Sequence, residues 1–254
     1  MQDMQLLYED CLDALKDIED ESIDMIFADP PYGTTNGSWD IPIDSSLLFD
    51  QIRRVIKKNG ACLLWSQMPF TADLVVAGRD MFRYEWIVEK TKPTGFLNAR
   101  KMPMKSHENV LVFYKNLPTY NPQKTTGHKP VNSFTKHTKN GDLYGDSKPG
   151  ISGGGQTDRF PRDVLKFKWD TQKSKLHPTQ KPLAALEYFI KTYTNEGDTV
   201  LDMCMGSGST GVAALNLNRK FIGIEKDLGF YNTALSRITL STKDRIIMSP
   251  EAVR

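Results

Sequence analysis

The sequence predicts an α/β protein with a doubly wound, mostly parallel sheet, and two stretches support that prediction. The first is the apolar run Ile23–Ala28, which has the length of a buried parallel strand and leads into Asp-Pro-Pro-Tyr at residues 29–32. The second, residues 199–225, has the pattern of a strand, a glycine-rich turn, a helix and a strand ending in an acid. Ligands of open α/β sheets bind at the carboxyl ends of the strands, where both stretches are expected to lie.

The prolines after the first strand make it a rigid arm. Proline fixes φ and has no N–H, and the residue before a proline is held in extended geometry. The arm therefore presents the carboxylate of Asp29, the carbonyl of Pro30 and the ring of Tyr32 at the strand end. The alternatives are a turn or helix-capping acid at Asp29 and a core aromatic at Tyr32.

Other elements follow from apolar spacing, because a period of three to four residues indicates a helix and a short apolar run a strand. Asn59-Gly60 is expected to end the helix that starts at Ser45. In chain order we predict strand Met4–Tyr8, a helical turn Cys11–Lys16, helix Ser45–Lys58, strand Ala61–Trp65, helix Phe70–Arg79, strands Tyr84–Glu89 and Asn109–Tyr114, helix Leu183–Tyr193, strand Thr199–Met203, a helix to Leu217, a strand from Lys220 to Glu225, and helix Gly229–Leu240.

Length and composition fit one large domain, or one domain with an insert: the chain has 254 residues and 39% hydrophobic content. No apolar run is long enough for a membrane span, and the polar, acidic N-terminus argues against a signal peptide. Cys11, Cys62 and Cys204 are widely spaced and form no CxxC pair. We therefore expect reduced thiols, a cytoplasmic protein and no metal site.

Residues 115–176 interrupt the α/β rhythm with a polar, glycine-containing stretch. It holds twelve Lys/Arg against five Asp/Glu, whereas the net charge of the whole chain is +2. A basic insert on an otherwise acidic chain favours a polyanionic partner such as nucleic acid. A solvated linker is the alternative, and the aromatic residues interleaved with the cations could equally form a small separate core.

The glycine-rich turn indicates a nucleotide-type ligand. Gly206, Gly208 and Gly211 fit GxGxxG, and Glu225 is placed to accept hydrogen bonds from ribose hydroxyls. Alone, the motif fits a nicotinamide dehydrogenase, any enzyme with an adenosine-containing cofactor, or purely structural turn glycines. Asp202 at the strand end disfavours a nearby pyrophosphate and favours a cationic ligand such as S-adenosylmethionine.

Together, Asp29-Pro30-Pro31-Tyr32 and the run Asp202–Gly208 resemble the two signatures of DNA amino-methyltransferases. The order, with the catalytic motif first and the cofactor motif last, is similar to the β group of that family. His107-Glu108-Asn109 before a strand and His177–Pro182 before a helix belong to the same resemblance, which covers nearly everything outside residues 116–160. Cys204 departs from the pattern, because the family usually has Phe beside the cofactor there.

The resemblance implies a seven-stranded, Rossmann-like methyltransferase sheet in circularly permuted order. Met4–Tyr8 would then complete the sheet beside the strand that ends at Glu225, and Asn109–Tyr114 would be its antiparallel strand. The implied organisation is a catalytic half at 1–115, a target-recognition insert at 116–175, and an S-adenosylmethionine-binding half of the same domain at 176–254.

The implied activity is methylation of the exocyclic N6 of adenine in a specific sequence of duplex DNA. Asp29 and the Pro30 carbonyl would accept hydrogen bonds from the amine while the lone pair attacks the methyl group in line, and Tyr32 would stack on the flipped base. Within the family, Asp at the first motif position favours adenine over N4 of cytosine. A nicotinamide dehydrogenase and a non-catalytic DNA-binding module are the alternatives from other classes.

The resemblance also assigns site residues and partners. Asp10 would face the cofactor adenine, although capping a helix is an alternative role. The predicted catalytic residues are Asp29, Pro30, Pro31 and Tyr32; the predicted cofactor-binding residues are Asp10, Cys11, Asp29, Thr179, Lys181, Asp202, Cys204, Gly206, Ser207, Gly208, Ser209, Thr210 and Glu225. The predicted DNA-binding residues are Trp39, Lys90, Lys92, Arg100, Lys101, Lys105, Lys129, Lys136, Arg159 and Arg162. Expected partners are double-stranded DNA, a second copy of the chain and a cognate restriction endonuclease, in a bacterial or phage-encoded system.

Overall fold

A computed structural model describes residues 3–34, 37, 40–136, 151–168 and 181–248 of the chain. The chain divides into two compact units: residues 1–121 with 163–254, and Pro122–Arg162. The second unit lies within the predicted insert 116–175 but is narrower, because residues 164–166 join the sheet of the first unit. The assignment of that insert to target recognition stays a prediction.

The first unit is an α/β structure around one sheet, so the predicted fold class is confirmed. Its strands are β1 (Met4–Tyr8), β2 (Ile23–Ala28), β3 (Ile56–Ser66), β4 (Phe82–Thr94), β5 (Lys105–Phe113), β8 (Val164–Lys166), β9 (Thr199–Asp202) and β10 (Lys220–Glu225). Its helices are α1 (Cys11–Ala14), α2 (Ser45–Val55), α3 (Phe70–Ala77), α4 (Leu183–Tyr193), α5 (Ser209–Asn216) and α6 (Leu228–Met248), with short 3₁₀ turns at Leu15–Asp17 and Phe96–Asn98.

The strands lie in the order β1-β10-β9-β2-β3-β5-β4-β8. β1 pairs in parallel with β10, which confirms the prediction that the N-terminal strand completes the sheet beside the strand ending at Glu225. β5 is antiparallel to both β3 and β4, again as expected. The described sheet has eight strands rather than seven, because the short strand β8 adds to the outer edge of β4.

Helices cover both faces of this sheet. On β3, Leu63 and Trp65 point into the core that contains α4, α5 and α6, whereas Cys62 and Leu64 point into the core that contains α1, α2 and α3. Alternate side chains of a strand face opposite sides, so a strand buried on both faces is apolar throughout. This arrangement leaves the carboxyl edge of the sheet as the place where loops converge.

The prediction for the end of α2 was wrong. The helix ends at Val55 rather than at Lys58, and Asn59-Gly60 lies inside β3 instead of stopping the helix. The register between β2 and β3 shifts between Ile23 and Met25, which accommodates the extra residues as an irregularity in the strand. A Cβ atom at Gly60 would stand 2.9 Å from the Asp24 carbonyl oxygen, so glycine is required for this close approach.

The second unit contains the antiparallel pair β6 (Phe134–Lys136) and β7 (Ile151–Gly153). An isolated bridge joins Thr125 to Arg159, and Lys124 forms an ion pair of 2.8 Å with Asp158. Across both units, none of the described helices is long and apolar enough to cross a membrane. The described side chains also include no group of three or more His, Cys, Asp or Glu that could hold a metal ion.

Candidate active site

The catalytic arm and the glycine-rich loop lie side by side at the carboxyl edge. β2 pairs directly with β9, with Met25 opposite Val200 and Ile26 opposite Leu201. Asp24 reinforces the pairing, since its carboxylate accepts a hydrogen bond of 2.9 Å from the Thr199 backbone. Asp29 directly follows β2 and Asp202 is the last residue of the adjacent parallel strand β9, close enough for the Asp29 charge to raise the pKa of Asp202.

Asp29 belongs to a largely buried ionic network that we call the quartet: Asp29, Lys181, Glu108 and Lys90. The ammonium of Lys181 lies 2.7 Å from Asp29 Oδ2 and 3.2 Å from Glu108 Oε2. The second oxygen of Glu108, Oε1, lies 2.7 Å from the ammonium of Lys90. The quartet holds two carboxylates and two ammonium groups, so its formal charge is zero.

The charges of the quartet stabilise one another. Burial lowers the pKa of Lys181, which is only 7% exposed, but Asp29 and Glu108 outweigh burial and raise that pKa above its usual value. Burial raises the pKa of Glu108, yet Lys181 and Lys90 outweigh it and lower that pKa. Both groups are therefore ionised at neutral pH, and Lys181 is a fixed cation beside Asp29.

Strand alternation explains how the quartet assembles. Trp86, Val88 and Lys90 share one face of β4, and Glu108 lies opposite Val88 on β5. That face packs against α4, which begins two residues after Lys181. Lys90, Glu108 and Lys181 thus meet on the α4 side of the sheet, and Asp29 lies on the same side directly after β2.

Tyr32 is fixed by two contacts. Its hydroxyl donates a hydrogen bond of 2.6 Å to Asp29 Oδ1, and its ring stacks on Phe70 with centroids 5.4 Å apart. Burial and the Asp29 charge raise the pKa of Tyr32 well above its usual value, so the phenol stays protonated and acts as a donor. Lys181 also lies 5.1 Å from the ring centroid of Trp65.

The loop after the arm is held by a residue that sequence reasoning missed. The buried carboxylate of Asp40 accepts hydrogen bonds from the backbone N–H groups of Gly33 and Thr34, at 2.8 and 2.9 Å. Gly33 has a φ of 66°, which favours glycine. Glu108 and Phe70 were missed as well: Glu108 stood in the His107-Glu108-Asn109 part of the resemblance, whereas nothing local to Phe70 indicated its contact with Tyr32.

The glycine-rich loop carries a carboxylate suited to a cation. Asp202 accepts hydrogen bonds from Thr210 and from the Cys204 backbone, while the neighbouring charges are the carboxylates of Asp29 and Glu225. Burial, followed by these charges, raises the pKa of Asp202 to about 7. Among the described residues no Lys or Arg forms an ion pair with Asp202, so an ammonium-bearing ligand fits this position.

Glu225 lies beside the glycine-rich loop and is hydrogen-bonded to it. Glu225 Oε2 accepts from the Gly206 backbone at 2.9 Å and Oε1 from the Asp227 backbone at 2.8 Å. Gly206 and Gly208 have φ values of 50° and 76°, which place the chain in the left-handed region. Each carboxylate oxygen has two lone pairs, so Glu225 can still accept from ribose hydroxyls.

The remaining predicted cofactor residues that the structure describes lie beside this loop. Asp10 caps α1 through a hydrogen bond from the Leu12 backbone, which is the alternative role given above. The thiols of Cys11 and Cys204 are hydrogen-bonded to each other. Ser207 and Ser209 bind Arg237 of α6, whose contact with Ser209 is 2.8 Å, and sequence reasoning gave no sign of this arginine. Thr179 and Trp39 lie outside the described residues.

The predicted DNA-binding cations separate into different environments. Lys92, Arg100, Lys101 and Lys105 are exposed, with Lys105 donating to Gln67 at 2.8 Å. Lys90 differs from these four, because its side chain is 11% exposed and paired inside the quartet; its role in DNA binding stays a prediction. In the second unit the guanidinium of Arg159 binds the carbonyls of Lys129, Gln156 and Asp158, whereas Lys129 and Arg162 are exposed and Lys136 lies on β6.

Known proteins resemble the chain over nearly its whole length. The E. coli K12 protein named DNA adenine methyltransferase YhdJ is 29% identical over 93% of this chain and 83% of its own length. The Moraxella bovis protein named Type II methyltransferase M2.MboI is 28% identical over 89% of this chain and 84% of its own length.

Solved structures share the fold. The M1.HpyAVI–SAM complex superposes with a TM-score of 0.62 at 23% identity, covering 92% of this chain and 98% of that one. The cytosine-N4-specific PvuII DNA methyltransferase gives a TM-score of 0.65 at 16% identity, covering 96% and 92%. A family model described as DNA methylase, for N6 and N4 methyltransferases, matches residues 23–236. The chain therefore belongs to the DNA methylase family.

Proposed function

We propose that this protein transfers the methyl group of S-adenosylmethionine to the exocyclic N6 of adenine in duplex DNA. The observation that carries the proposal is the pairing of β2 with β9, which sets the Asp29 arm beside the buried Asp202 carboxylate. An amine acceptor and a site for a cationic ligand thus share one edge of the sheet. Adenine is favoured over cytosine by Asp29 at the first motif position and by the name of the E. coli relative.

The cofactor residues follow from charge and hydrogen-bonding capacity. Asp202 would bind the ammonium of the methionine moiety, the N–H groups of the glycine-rich loop would approach its carboxylate, and Glu225 would accept from the ribose. When bound, S-adenosylmethionine supplies an electrophilic methyl group. Cys11 and Cys204 would line the adenine end, with less bulk than the Phe that the family usually has at residue 204.

The catalytic residues activate the adenine amine, whose lone pair is otherwise delocalised into the ring. Asp29 Oδ1 and the Pro30 carbonyl would accept the two amine hydrogens, which favours tetrahedral nitrogen and frees its lone pair. Lys181, 2.7 Å from Asp29 Oδ2, would hold the Asp29 carboxylate in its orientation, so little reorganisation is needed as positive charge develops on the nitrogen. Tyr32, supported by Phe70 on one side, would stack on the flipped base.

The test is product analysis. The protein is incubated with duplex DNA and methyl-labelled S-adenosylmethionine, and the DNA is hydrolysed to nucleosides and separated. We expect the label in N6-methyl-2′-deoxyadenosine. Label in N4-methyl-2′-deoxycytidine would overturn the choice of base, and unlabelled DNA together with retained DNA binding would favour a non-catalytic binding module.

Partners and setting are inferred by analogy with relatives. The Moraxella bovis relative is named a Type II methyltransferase, which supports a cognate endonuclease for the same sequence and a bacterial cytoplasmic setting. DNA methylated by this protein should then resist that endonuclease. A homodimer is the oligomeric state that we propose, and sedimentation velocity measures it directly.

A further inference from the structure

The loop between β4 and β5, residues 95–104, presents two adjacent apolar side chains to solvent; we call it the tip loop. Phe96 is 78% exposed and Leu97 is 97% exposed. Single exposed apolar residues are common on protein surfaces and need no explanation. Two neighbouring ones of this size at the end of a hairpin form a cluster, which indicates a contact with something outside the chain.

The tip loop holds these side chains outward in a defined conformation. Gly95 has a φ of 90°, and its carbonyl accepts a hydrogen bond of 2.9 Å from the Asn98 backbone. The Ala99 and Met102 backbones donate to Phe96 and Asn98 at 3.0 Å. A loop ordered by its own hydrogen bonds loses little conformational entropy when it binds, so the apolar pair is preorganised for a partner.

The hairpin places the tip loop on the catalytic side of the sheet. β5 runs antiparallel to β3, with Asn109 opposite Ser66 at the carboxyl end of β3. Lys181 contacts both Glu108 and Asp29, so Glu108 marks the position of the quartet on β5. Lys105, the first residue of β5 after the tip loop, lies three positions before Glu108 in the chain. At about 3.3 Å per residue, the tip loop begins about 10 Å beyond the quartet.

The charge around the apolar pair fits a polyanion. Residues 91–107 contain four Lys/Arg and no Asp or Glu. All four cations, Lys92, Arg100, Lys101 and Lys105, are exposed. Cations that neutralise phosphates, flanking apolar side chains of the kind that insert between base steps, are the combination found in proteins that kink or open duplex DNA.

We propose that Phe96 and Leu97 form a wedge that enters the duplex beside the target base and occupies the space left when that base swings out to Asp29. This inference rests on the proposed function. Extrusion costs the stacking and pairing of the target base, and an apolar wedge recovers part of that cost by restacking the bases that remain. The flanking cations would hold the backbone on both sides of the opening.

The experiment compares the double variant F96A/L97A with wild type on three oligonucleotides that carry the same target sequence. In the first the target base is fully paired, in the second it faces an abasic site, and in the third the DNA is single-stranded. The matched control is Val76→Ala, because Val76 is 76% exposed on α3 and belongs to none of the predicted sites. Thermal unfolding of all proteins verifies that the substitutions leave the fold intact.

We expect kcat/KM of F96A/L97A to fall about 10- to 100-fold on the paired duplex. On the abasic duplex and the single strand the loss should shrink to within about threefold, since the extrusion cost is already absent. With 2-aminopurine at the target position, wild type should raise the fluorescence on binding and the variant should not. Val76→Ala should behave as wild type in each assay.

Other results overturn the wedge. An equal loss on all three substrates would assign the pair to general DNA binding, and unchanged kinetics would remove any role in the reaction. A shift of F96A/L97A alone from dimer to monomer in sedimentation velocity would assign the cluster to self-association. Failure of wild type to methylate any substrate would instead refute the proposed function, and the wedge with it.

Discussion

The two sides of the carboxyl edge handle buried charge in opposite ways. On the catalytic side, Asp29 and Glu108 are paired with Lys181 and Lys90, so the chain supplies its own cations. On the cofactor side, Asp202 is buried among hydrogen-bond donors and other carboxylates. Ionising a buried carboxylate that has no cationic partner is unfavourable, which is why the pKa of Asp202 is raised to about 7. The catalytic side is therefore electrostatically complete, whereas the described residues give Asp202 no cationic partner, and a cationic ligand would complete the cofactor side.

The largest effect should come from Asp29, which connects the two sides. Asp29→Ala removes the acceptor for the amine, and we expect the single-turnover rate of methyl transfer to fall about 100-fold or more. Asp50→Ala is the control, because Asp50 is an exposed acid on α2 that pairs with Arg53 at 3.4 Å. A rate within about twofold of wild type for Asp29→Ala would remove this residue from the mechanism.

The second test breaks the charge balance of the catalytic side. Lys181→Met leaves Glu108 buried with one cation instead of two, so we expect the free energy of unfolding at pH 7.5 to fall by about 3 kcal/mol or more. Chemical denaturation measures it. Lys166→Met is the matched control, because its ion pair with Glu89 is on the surface and should contribute about 0–1 kcal/mol.

The pH dependence of this loss follows from the pKa of Glu108. In wild type that pKa is lowered on folding, so its stabilisation is present above the unfolded value and is lost as the pH falls through the folded value. In Lys181→Met only Lys90 opposes the effect of burial on Glu108, so the pKa of Glu108 in the folded state rises. At a pH above that pKa, the ionised carboxylate then lowers the free energy of unfolding. The difference between the two proteins should widen from pH 4.5 to pH 7.5. If the difference in the free energy of unfolding stayed constant over this pH range, Lys181 would not affect the pKa of Glu108.

The third test concerns the cofactor side alone. An ionised Asp202 attracts a cationic ligand, and the folded pKa of about 7 means that protons compete with the ligand below that pH. The affinity for S-adenosylmethionine should therefore fall by up to about tenfold per pH unit below pH 7, with proton release on binding. Calorimetry in buffers of different ionisation enthalpy measures both. Asp202→Asn should bind more weakly at pH 8 and show a flatter profile; an unchanged profile would place the cation elsewhere.

How far the sequence predicts the molecule depends on how local the signal is. The bounds of β2 were predicted correctly, because its apolar run and the following prolines act on the same few residues. The end of α2 was not, since the irregular register of β2 and β3 is set by a neighbouring strand. The quartet joins residues from four parts of the chain. Asp29 and Lys181 were predicted as site residues and Lys90 as a DNA-binding residue, but the contacts among them could not be predicted.

Lys90 illustrates the limit most clearly. The predicted strand ended at Glu89, so Lys90 counted as part of a basic linker, whereas β4 continues to Thr94. On a strand, Lys90 shares a face with Val88 and Trp86, and that face is the core. The positive charge of Lys90 therefore did not reveal whether this lysine is a buried partner of a carboxylate or an exposed cation.

The smallest predicted effect separates these two kinds of lysine. Lys101 is exposed on the tip loop, so Lys101→Gln should weaken duplex binding several-fold at low salt and reduce the slope of log K against log salt by about 1. Lys90→Gln should leave that slope unchanged and lower the thermal stability instead, because Glu108 loses its 2.7 Å partner. Binding isotherms at four salt concentrations measure both slopes. Equal slopes for Lys101→Gln and wild type would show that the tip loop does not approach phosphate. A reduced slope for Lys90→Gln would mean that the quartet opens when DNA binds, and the catalytic side would then be no more complete than the cofactor side.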